Sequence, residues 1–364
     1  MRDLEYIVEP VLAWYDNHKR ILPWRENKSA YRVWVSEIML QQTRVEAVKP
    51  FFERFITALP TLHDLAMASE DELLKLWEGL GYYNRVRNMQ KAALNVIELY
   101  QGEMPDTYEQ LLTLPGIGSY TAGAVASISF GRPVPAVDGN VLRILSRLTL
   151  DAEDILSAKA KNRVETELLE IIPKDRAGDF NQALMELGAT VCVPNGEPHC
   201  IQCPWVTFCL AKREDKISEY PKKKKKNARV LEQKTIIVIR DSEKTVIRKR
   251  PSKGLLAGMY EFPTLEGHAT KEQVLDFVKN MGYHPVQITE LENSKHIFSH
   301  KEWHMLGYAV KVAPQGYIEN KKNKMGFFLV EPQETEEKYP IPAAYLAYTK
   351  TVSIKIGNHK YHKD

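Results

Sequence analysis

The sequence has few cysteines, no long apolar run and no strong excess of either charge. Four Cys in 364 residues are too few for a disulfide scaffold. A bilayer crossing needs roughly 18 consecutive apolar residues. The longest candidate, 122–130, falls well short and contains Ser127 and Ser129. The first residues, Met1-Arg2-Asp3-Leu4-Glu5, place two acids before any apolar stretch, so no secretory signal is expected there. Neither a membrane nor a secreted protein is expected. What remains is an ordinary mixture, 44% hydrophobic and 27% charged, long enough for two separately packed cores.

The formal net charge of +3 hides an asymmetry. Residues 1–220 hold 24 Lys and Arg against 31 Asp and Glu, a net of −7, whereas residues 221–364 hold 26 against 16, a net of +10. The basic half reads either as solvated surface or as a surface for a polyanion. Any contact with DNA in the acidic half must be local.

Apolar residues recur at helical spacing over 4–19, 31–42, 45–59, 71–80, 85–100, 107–113, 120–129, 139–148, 158–172 and 180–191. No useful strand alternation interrupts them, so an all-α domain is predicted over 1–220. The lysine run at 222–226 cannot pack and predicts a basic linker over 221–229. Beyond it β-branched residues cluster at 234–240 and 245–249. Strands are also predicted at 296–300, 303–312 and 327–330, with a helix at 271–281. A smaller α+β domain is therefore expected over 230–364.

All four cysteines, Cys192, Cys200, Cys203 and Cys209, fall within 18 residues and none lies in the other 346. Without an export signal a disulfide pair is not expected. Four thiolates in a compact loop suit an iron–sulfur cluster better than zinc, which usually takes two well-separated Cys pairs. A structural [4Fe-4S] cluster is the expected cofactor, with zinc the alternative.

Leu114-Pro115-Gly116-Ile117-Gly118 sits between two predicted helices. The glycines permit a tight turn, and the N–H groups opening the next helix are suited to a phosphate oxygen. Downstream, Pro135-Ala136-Val137-Asp138-Gly139-Asn140-Val141 places Asp138 just before a helix. Asp is a favoured N-cap, and a capping carboxylate can also face a cleft.

These two stretches, followed by the four-Cys loop, resemble the helix–hairpin–helix DNA glycosylases of the endonuclease III superfamily. Further motifs narrow the resemblance to the adenine-specific family. They are Leu22-Pro23-Trp24-Arg25, Ser36-Glu37-Ile38-Met39-Leu40-Gln41-Gln42-Thr43, Gly79-Leu80-Gly81-Tyr82-Tyr83 and Asn181-Gln182-Ala183, then Gly254-Leu255-Leu256-Ala257-Gly258 and Phe298-Ser299-His300. The resemblance covers nearly the whole chain. It implies a base-excision repair enzyme that hydrolyses the N-glycosidic bond of adenine mispaired with 8-oxoguanine or G in duplex DNA. A monomer in a bacterial cytoplasm is the corresponding expectation. One departure stands out: seven residues separate Cys192 from Cys200, where the family has six. A loop tip tolerates such an insertion.

Breaking that bond requires a proton for the departing base and an anion beside the cationic sugar, a task for two carboxyls in different environments. Glu37, flanked by Val33, Val35, Ile38, Met39 and Leu40, is expected to be the acid, its pKa raised by apolar neighbours. Asp138 is expected to remain ionised, with Asn140 orienting it or a water. At position 120, where strand-cutting relatives carry a Schiff-base lysine, this chain has Tyr120. It is expected to be monofunctional, with Tyr120 against the adenine or Asp138. Trp24, Arg25, Leu40 and Gln182 match the adenine pocket. Gln42, Thr43, Leu80 and Tyr82 match the contacts and wedge around 8-oxoguanine, and Gly116 and Gly118 match the phosphate-binding hairpin. The second domain resembles a Nudix fold whose helix 271–281 lacks paired metal-binding glutamates, so it is expected to bind rather than hydrolyse. Phe298, Ser299 and His300 match its 8-oxoguanine loop. The alternatives are a bifunctional damaged-base glycosylase/lyase, opposed by Tyr120 and the second domain, and a non-catalytic DNA-binding protein, opposed by the Glu37 and Asp138 pair.

Overall fold

Helix caps and chain breaks are written locally in the first two hundred residues. In the computed structural model, which describes residues 3–224, 228–314 and 323–357, Ser29 caps the helix Ala30–Leu40 by accepting from the Arg32 N–H. Ser157 does the same for Ala158–Ile171. Asp138 caps Gly139–Thr149, and Gly131, at φ 67°, terminates Ser119–Phe130. The predicted helices are all present with ends shifted by a few residues, and short helices at Pro23–Glu26 and Leu62–Met67 are added. Among the described residues no helix is long and apolar enough to cross a membrane.

The chain divides into two compact units. One comprises Met1–Met67 with Asn88–Lys226, the other Ala68–Arg87 with Asn227–Asp364. This differs from the division at 220 expected from composition. Residues 68–87 carry a helical pattern, yet their buried polar groups find partners far along the chain. Composition cannot register such long-range pairing. Part of the basic linker, 225–227, lies outside the described residues.

In the first unit the helices Val8–His18, Gly139–Thr149 and Ala177–Thr190 share one core. Val11, Ile144, Leu145, Phe180, Leu184 and Trp205 are all essentially buried there. Burying each such side chain stabilises the fold by roughly 1.5–3 kcal/mol. Two glycines allow the closest backbone approaches. A Cβ on Gly123 would lie 2.1 Å from the Pro135 carbonyl oxygen, and one on Gly188 would lie 2.7 Å from Cβ of Asn140. Asn181, fully buried, ties the same region together. Its amide donates to Ser127 Oγ (2.8 Å) and to the Val134 carbonyl (2.9 Å), and its Oδ1 accepts from the Ala136 N–H (2.9 Å). The extended stretch leading to Asp138 is thus pinned to two helices.

The second unit holds a mixed sheet of β1 (Val230–Asp241), β2 (Lys244–Lys249), β3 (Tyr260–Glu261), β4 (Thr264–Glu266), β5 (Pro285–Ile297), β6 (Lys301–Val312) and β7 (Phe328–Val330). The order is β3-β2-β1-β6-β5, with β4 also on β1 and β7 on β2. β1 and β6 run parallel from Val230 opposite Lys301 to Arg240 opposite Lys311. Strand alternation sends Ile236 and Val238 to a face with Trp303, Tyr345 and Tyr348. Ile237 and Ile239 go to the other, beneath Val274 and Val278 of the helix Lys271–Asn280. The strand predicted at 296–300 is corrected. β5 begins at Pro285 and ends at Ile297, and 298–300 turns into β6. Much of β5 is a polar, half-exposed edge, so it lacks the apolar alternation that reveals a strand.

Gly123→Ala should destabilise the protein by about 1–3 kcal/mol, because the added methyl overlaps a fixed carbonyl. Gly118→Ala, where a Cβ meets nothing within 4 Å at a φ of −97°, should change stability by less than ~0.5 kcal/mol. Urea unfolding of the two variants checks this, and equal midpoints would refute the close approach.

Candidate active site

The centre of the first unit is a contact between two helices. Glu37 projects from Ala30–Leu40 and is 6% exposed. Tyr120, in the first turn of Ser119–Phe130, donates its hydroxyl hydrogen to Glu37 Oε2, and the Tyr120 hydroxyl oxygen lies 3.1 Å from Met185 Sδ. Burial pushes the Glu37 carboxyl up to about 7. The Tyr120 hydrogen bond and Arg25 oppose this, and the charge of Asp138 adds to it. Tyr120 was expected against the adenine or Asp138. Its hydroxyl bonds to Glu37, while burial and then the charges of Glu37 and Asp138 hold its pKa well above the usual phenol value. The three side chains form one electrostatic cluster.

Asp138 is held differently. Its Oδ1 accepts from the Asn140 and Val141 N–H groups, each at 2.8 Å, and Oδ2 accepts from Asn140 Nδ2 at 2.7 Å. Burial raises its pKa, opposed by these hydrogen bonds and by Arg143. Asp138 thus caps its helix while keeping a carboxyl whose other oxygen is held by a side-chain amide. Asn140 is itself oriented, because its Oδ1 accepts from Arg143 at 2.9 Å. Arg143 also donates to the carbonyls of Gly188 (2.7 Å) and Cys192 (3.0 Å).

Of the expected pocket residues, Trp24 is buried edge-on against Phe52, with ring centroids 5.5 Å apart. Leu40 is half-buried. Gln182 is buried and donates to the Gly178 carbonyl of its own helix (3.2 Å). Arg25 donates to Glu186 (2.8 Å) and to the Arg20 carbonyl (3.0 Å). Glu186 was not anticipated. It is 1% exposed and also accepts from Arg20 Nε at 2.6 Å. Burial pushes its pKa up, but the paired Arg20 and Arg25 hold it below the usual carboxylate value. The available signal was its spacing. Glu186 follows Gln182 by four residues and so shares its helix face.

The hairpin has the expected form. Gly116 sits at φ 78°, and a Cβ there would lie 2.7 Å from Cβ of Asn88. Gly118 is an exposed residue immediately before the helix Ser119–Phe130. Gln42, exposed at φ 59°, and Thr43, half-buried, follow the helix that carries Glu37.

The four cysteines line one cavity together with Arg147, Lys212 and apolar side chains. Arg147 donates to Cys192 Sγ at 3.3 Å. Burial raises Cys200, Cys203 and Cys209 as thiols, Cys203 to about 12. Among the described residues no three His, Cys, Asp or Glu side chains converge tightly enough to form a metal shell as placed. The donor set still fits a cationic metal centre: four sulfurs facing one cavity need positive compensation to become thiolates.

In the second unit, Ser299 and His300 are exposed at the β5–β6 turn, with Ser299 Oγ 3.3 Å from His300 Nδ1. Phe298 packs edge-on between His296 (4.6 Å) and Trp303 (5.0 Å), and its carbonyl accepts from Arg229 (3.2 Å). Leu80 is buried, whereas Tyr82 is 48% exposed. The helix Lys271–Asn280 carries only Glu272 and Asp276 as acids.

Residues 35–174 match the model of the HhH-GPD superfamily of base excision DNA repair proteins, and residues 235–350 match that of the NUDIX domain. The chain is 35% identical over 348 residues to the adenine DNA glycosylase of Mus musculus, spanning 80% of this chain and 67% of that protein. It is 33% identical over 348 residues to the adenine DNA glycosylase of Buchnera aphidicola subsp. Acyrthosiphon pisum, spanning 94% and 97%. The solved structure of a non-covalent endonuclease III–DNA complex overlays with a TM-score of 0.50 at 26% identity, covering 59% of this chain and 99% of that one.

Because its folded pKa of about 7 exceeds the ordinary carboxyl value, Glu37 stabilises the fold only while protonated, and that contribution is lost as pH rises through 7. Glu37→Gln keeps an acceptor for Tyr120 without the charge. It should match the wild type near pH 4.5 and exceed it by roughly 2–3 kcal/mol at pH 8. Urea denaturation at the two pH values measures this, and a pH-independent difference would contradict the buried neutral carboxyl.

Proposed function

The chain belongs to the adenine DNA glycosylases, base-excision repair enzymes that remove adenine from DNA, and from that premise we propose that its substrate is adenine opposite 8-oxoguanine or G, cleaved with Glu37 as acid and Asp138 as anion. The observation that carries this reading is the single cluster of Glu37, Tyr120 and Asp138, in which two carboxyls have unlike surroundings.

The target nucleotide leaves the stack and enters a pocket bounded by Trp24, Arg25, Leu40 and Gln182. The Arg25–Glu186 pair, at 2.8 Å, stiffens one wall. Tyr120 occupies Glu37 Oε2, so the acidic proton is carried on Oε1 and passes to N7 of adenine. Bond cleavage leaves positive charge on the sugar, which the Asp138 carboxylate stabilises while water completes the hydrolysis. Asn140 fixes the direction of that carboxylate. Tyr120 offers no amine, so no imine forms and the enzyme is monofunctional.

The hairpin amides at Gly116 and Gly118 receive backbone phosphate, and the +10 charge of residues 221–364 adds a salt-dependent attraction. Ser299 and His300 read the 8-oxoguanine edge, with Phe298 setting their turn. Gln42, Thr43 and Tyr82 act beside that base, Tyr82 as the aromatic wedge. Cys192, Cys200, Cys203 and Cys209 would hold a [4Fe-4S] cluster, which when bound supplies structural cross-linking of the 192–209 loop. The enzyme works as a monomer in the cytoplasm.

Single-turnover adenine release from duplexes carrying A opposite 8-oxoguanine, G or C tests the reading. The rate should fall in that order, and for 8-oxoguanine it should decline as pH rises through about 7. Changing Ser299 and His300 to Ala should reduce the preference for 8-oxoguanine over G by about tenfold, the equivalent of one or two hydrogen bonds. No release opposite 8-oxoguanine, or an unchanged preference in the double variant, would contradict the corresponding assignment.

A further inference from the structure

The loop Gly79–Tyr82 is held in an unusual conformation. Gly79, Gly81 and Tyr82 have φ of 102°, 72° and 49°, and a left-handed tyrosine needs support from its surroundings. Part of that support is local. Trp77 Nε1 donates to the Gly81 carbonyl at 3.1 Å, and Arg85 donates to the carbonyls of Leu80 (3.2 Å) and Gly81 (3.1 Å). The Arg85 guanidinium lies over the rings of Trp77 and Tyr82, at 5.3 and 5.5 Å.

The rest comes from more than 250 residues away. The Glu78 carboxylate, 2% exposed, accepts the Ile341 N–H on Oε1 at 2.8 Å and the Gly357 N–H on Oε2 at 3.2 Å. Lys75 Nζ bonds the same carboxylate, at 3.2 and 3.3 Å, and donates to the carbonyls of Thr335 (2.6 Å) and Tyr339 (3.4 Å). A Cβ on Gly357 would lie 3.3 Å from Cα of Gly79. The residue preceding the loop is therefore clamped to the end of the second unit by a buried charge, in an arrangement that removing one acceptor would disrupt.

We propose that Glu78 is a positioning residue: by gripping the Ile341 and Gly357 N–H groups, its carboxylate sets the Gly79–Tyr82 loop so that Tyr82 is presented to the DNA stack. This rests on the reading of Tyr82 as the wedge. Glu78 does not touch the reacting atoms. Its effect passes through the step that opens the stack, and a duplex already opened bypasses that step.

Two duplexes discriminate, both carrying A opposite 8-oxoguanine. One is otherwise fully paired, and the other holds the pair inside a bubble of mismatches. Single-turnover release by full-length Glu78→Gln should fall about tenfold on the paired duplex, the effect expected for one lost charge-assisted hydrogen bond, and less than about threefold on the bubble. Tyr82→Ala should be selective in the same direction. Should Glu78→Gln not accumulate as folded protein, Glu78→Asp, with the charge withdrawn by one methylene, undergoes the same comparison. Equal losses on both duplexes, or no loss, for the Glu78 variant while Tyr82→Ala remains selective would overturn the positioning role alone. Absence of selectivity in Tyr82→Ala would overturn the wedge reading and the proposal with it.

Discussion

Tyr120 and Glu37 are the interaction on which the rest depends. A carboxyl buried to 6% exposure is costly as an anion, and here the cost is converted into a proton held near neutral pH. The Tyr120 hydrogen bond works against protonation, so burial must win for the acid to exist. Core packing therefore sets the protonation state of Glu37. Asp138 experiences comparable burial but receives two backbone N–H groups and a side-chain amide. Its bonds favour the charged form, and Glu37's surroundings favour the neutral one. Two carboxyls of nearly equal intrinsic acidity thereby sit in unlike surroundings.

The second requirement is rigidity around Asp138. Asn181 pins the chain before it, Asn140 orients its side chain, and Arg143 ties Asn140 to the carbonyls of Gly188 and Cys192. The last of these carbonyls belongs to the first cysteine of the four. The position of that loop and the orientation of the anion are thus joined through Asn140 and Arg143, while Arg147 bonds Cys192 Sγ from the same helix. Close helix approach at Gly188 leaves little room for adjustment.

Much of this was legible because it is local. Helices declared themselves by apolar period and by Ser or Asp caps, the hairpin by Pro115 and its glycines, and the cysteine loop by composition. Asp138 was ambiguous between cap and anion, and the structure shows the cap. What the sequence withheld is long-range. Glu186 meets arginines 161 and 166 residues away, Glu78 meets amides 263 and 279 residues away, and no local pattern encodes such pairs. Edge strand β5 escaped notice because a strand with little apolar burial has no period to read. Tyr120 was found as a position, but its partner was not, since Glu37 lies 83 residues earlier.

The proposed chemistry rests on two carboxyls facing one extrahelical nucleoside, and Asp138→Asn tests it most directly. The variant keeps the size and the hydrogen-bonding reach of the side chain but removes the anion. Single-turnover adenine release opposite 8-oxoguanine should drop by at least ~10²-fold, with affinity for the same duplex changed by less than about threefold and no adduct trapped by borohydride in either protein. Release at the wild-type rate, or an equal loss of binding and release, would contradict the assignment of the sugar-stabilising charge to Asp138.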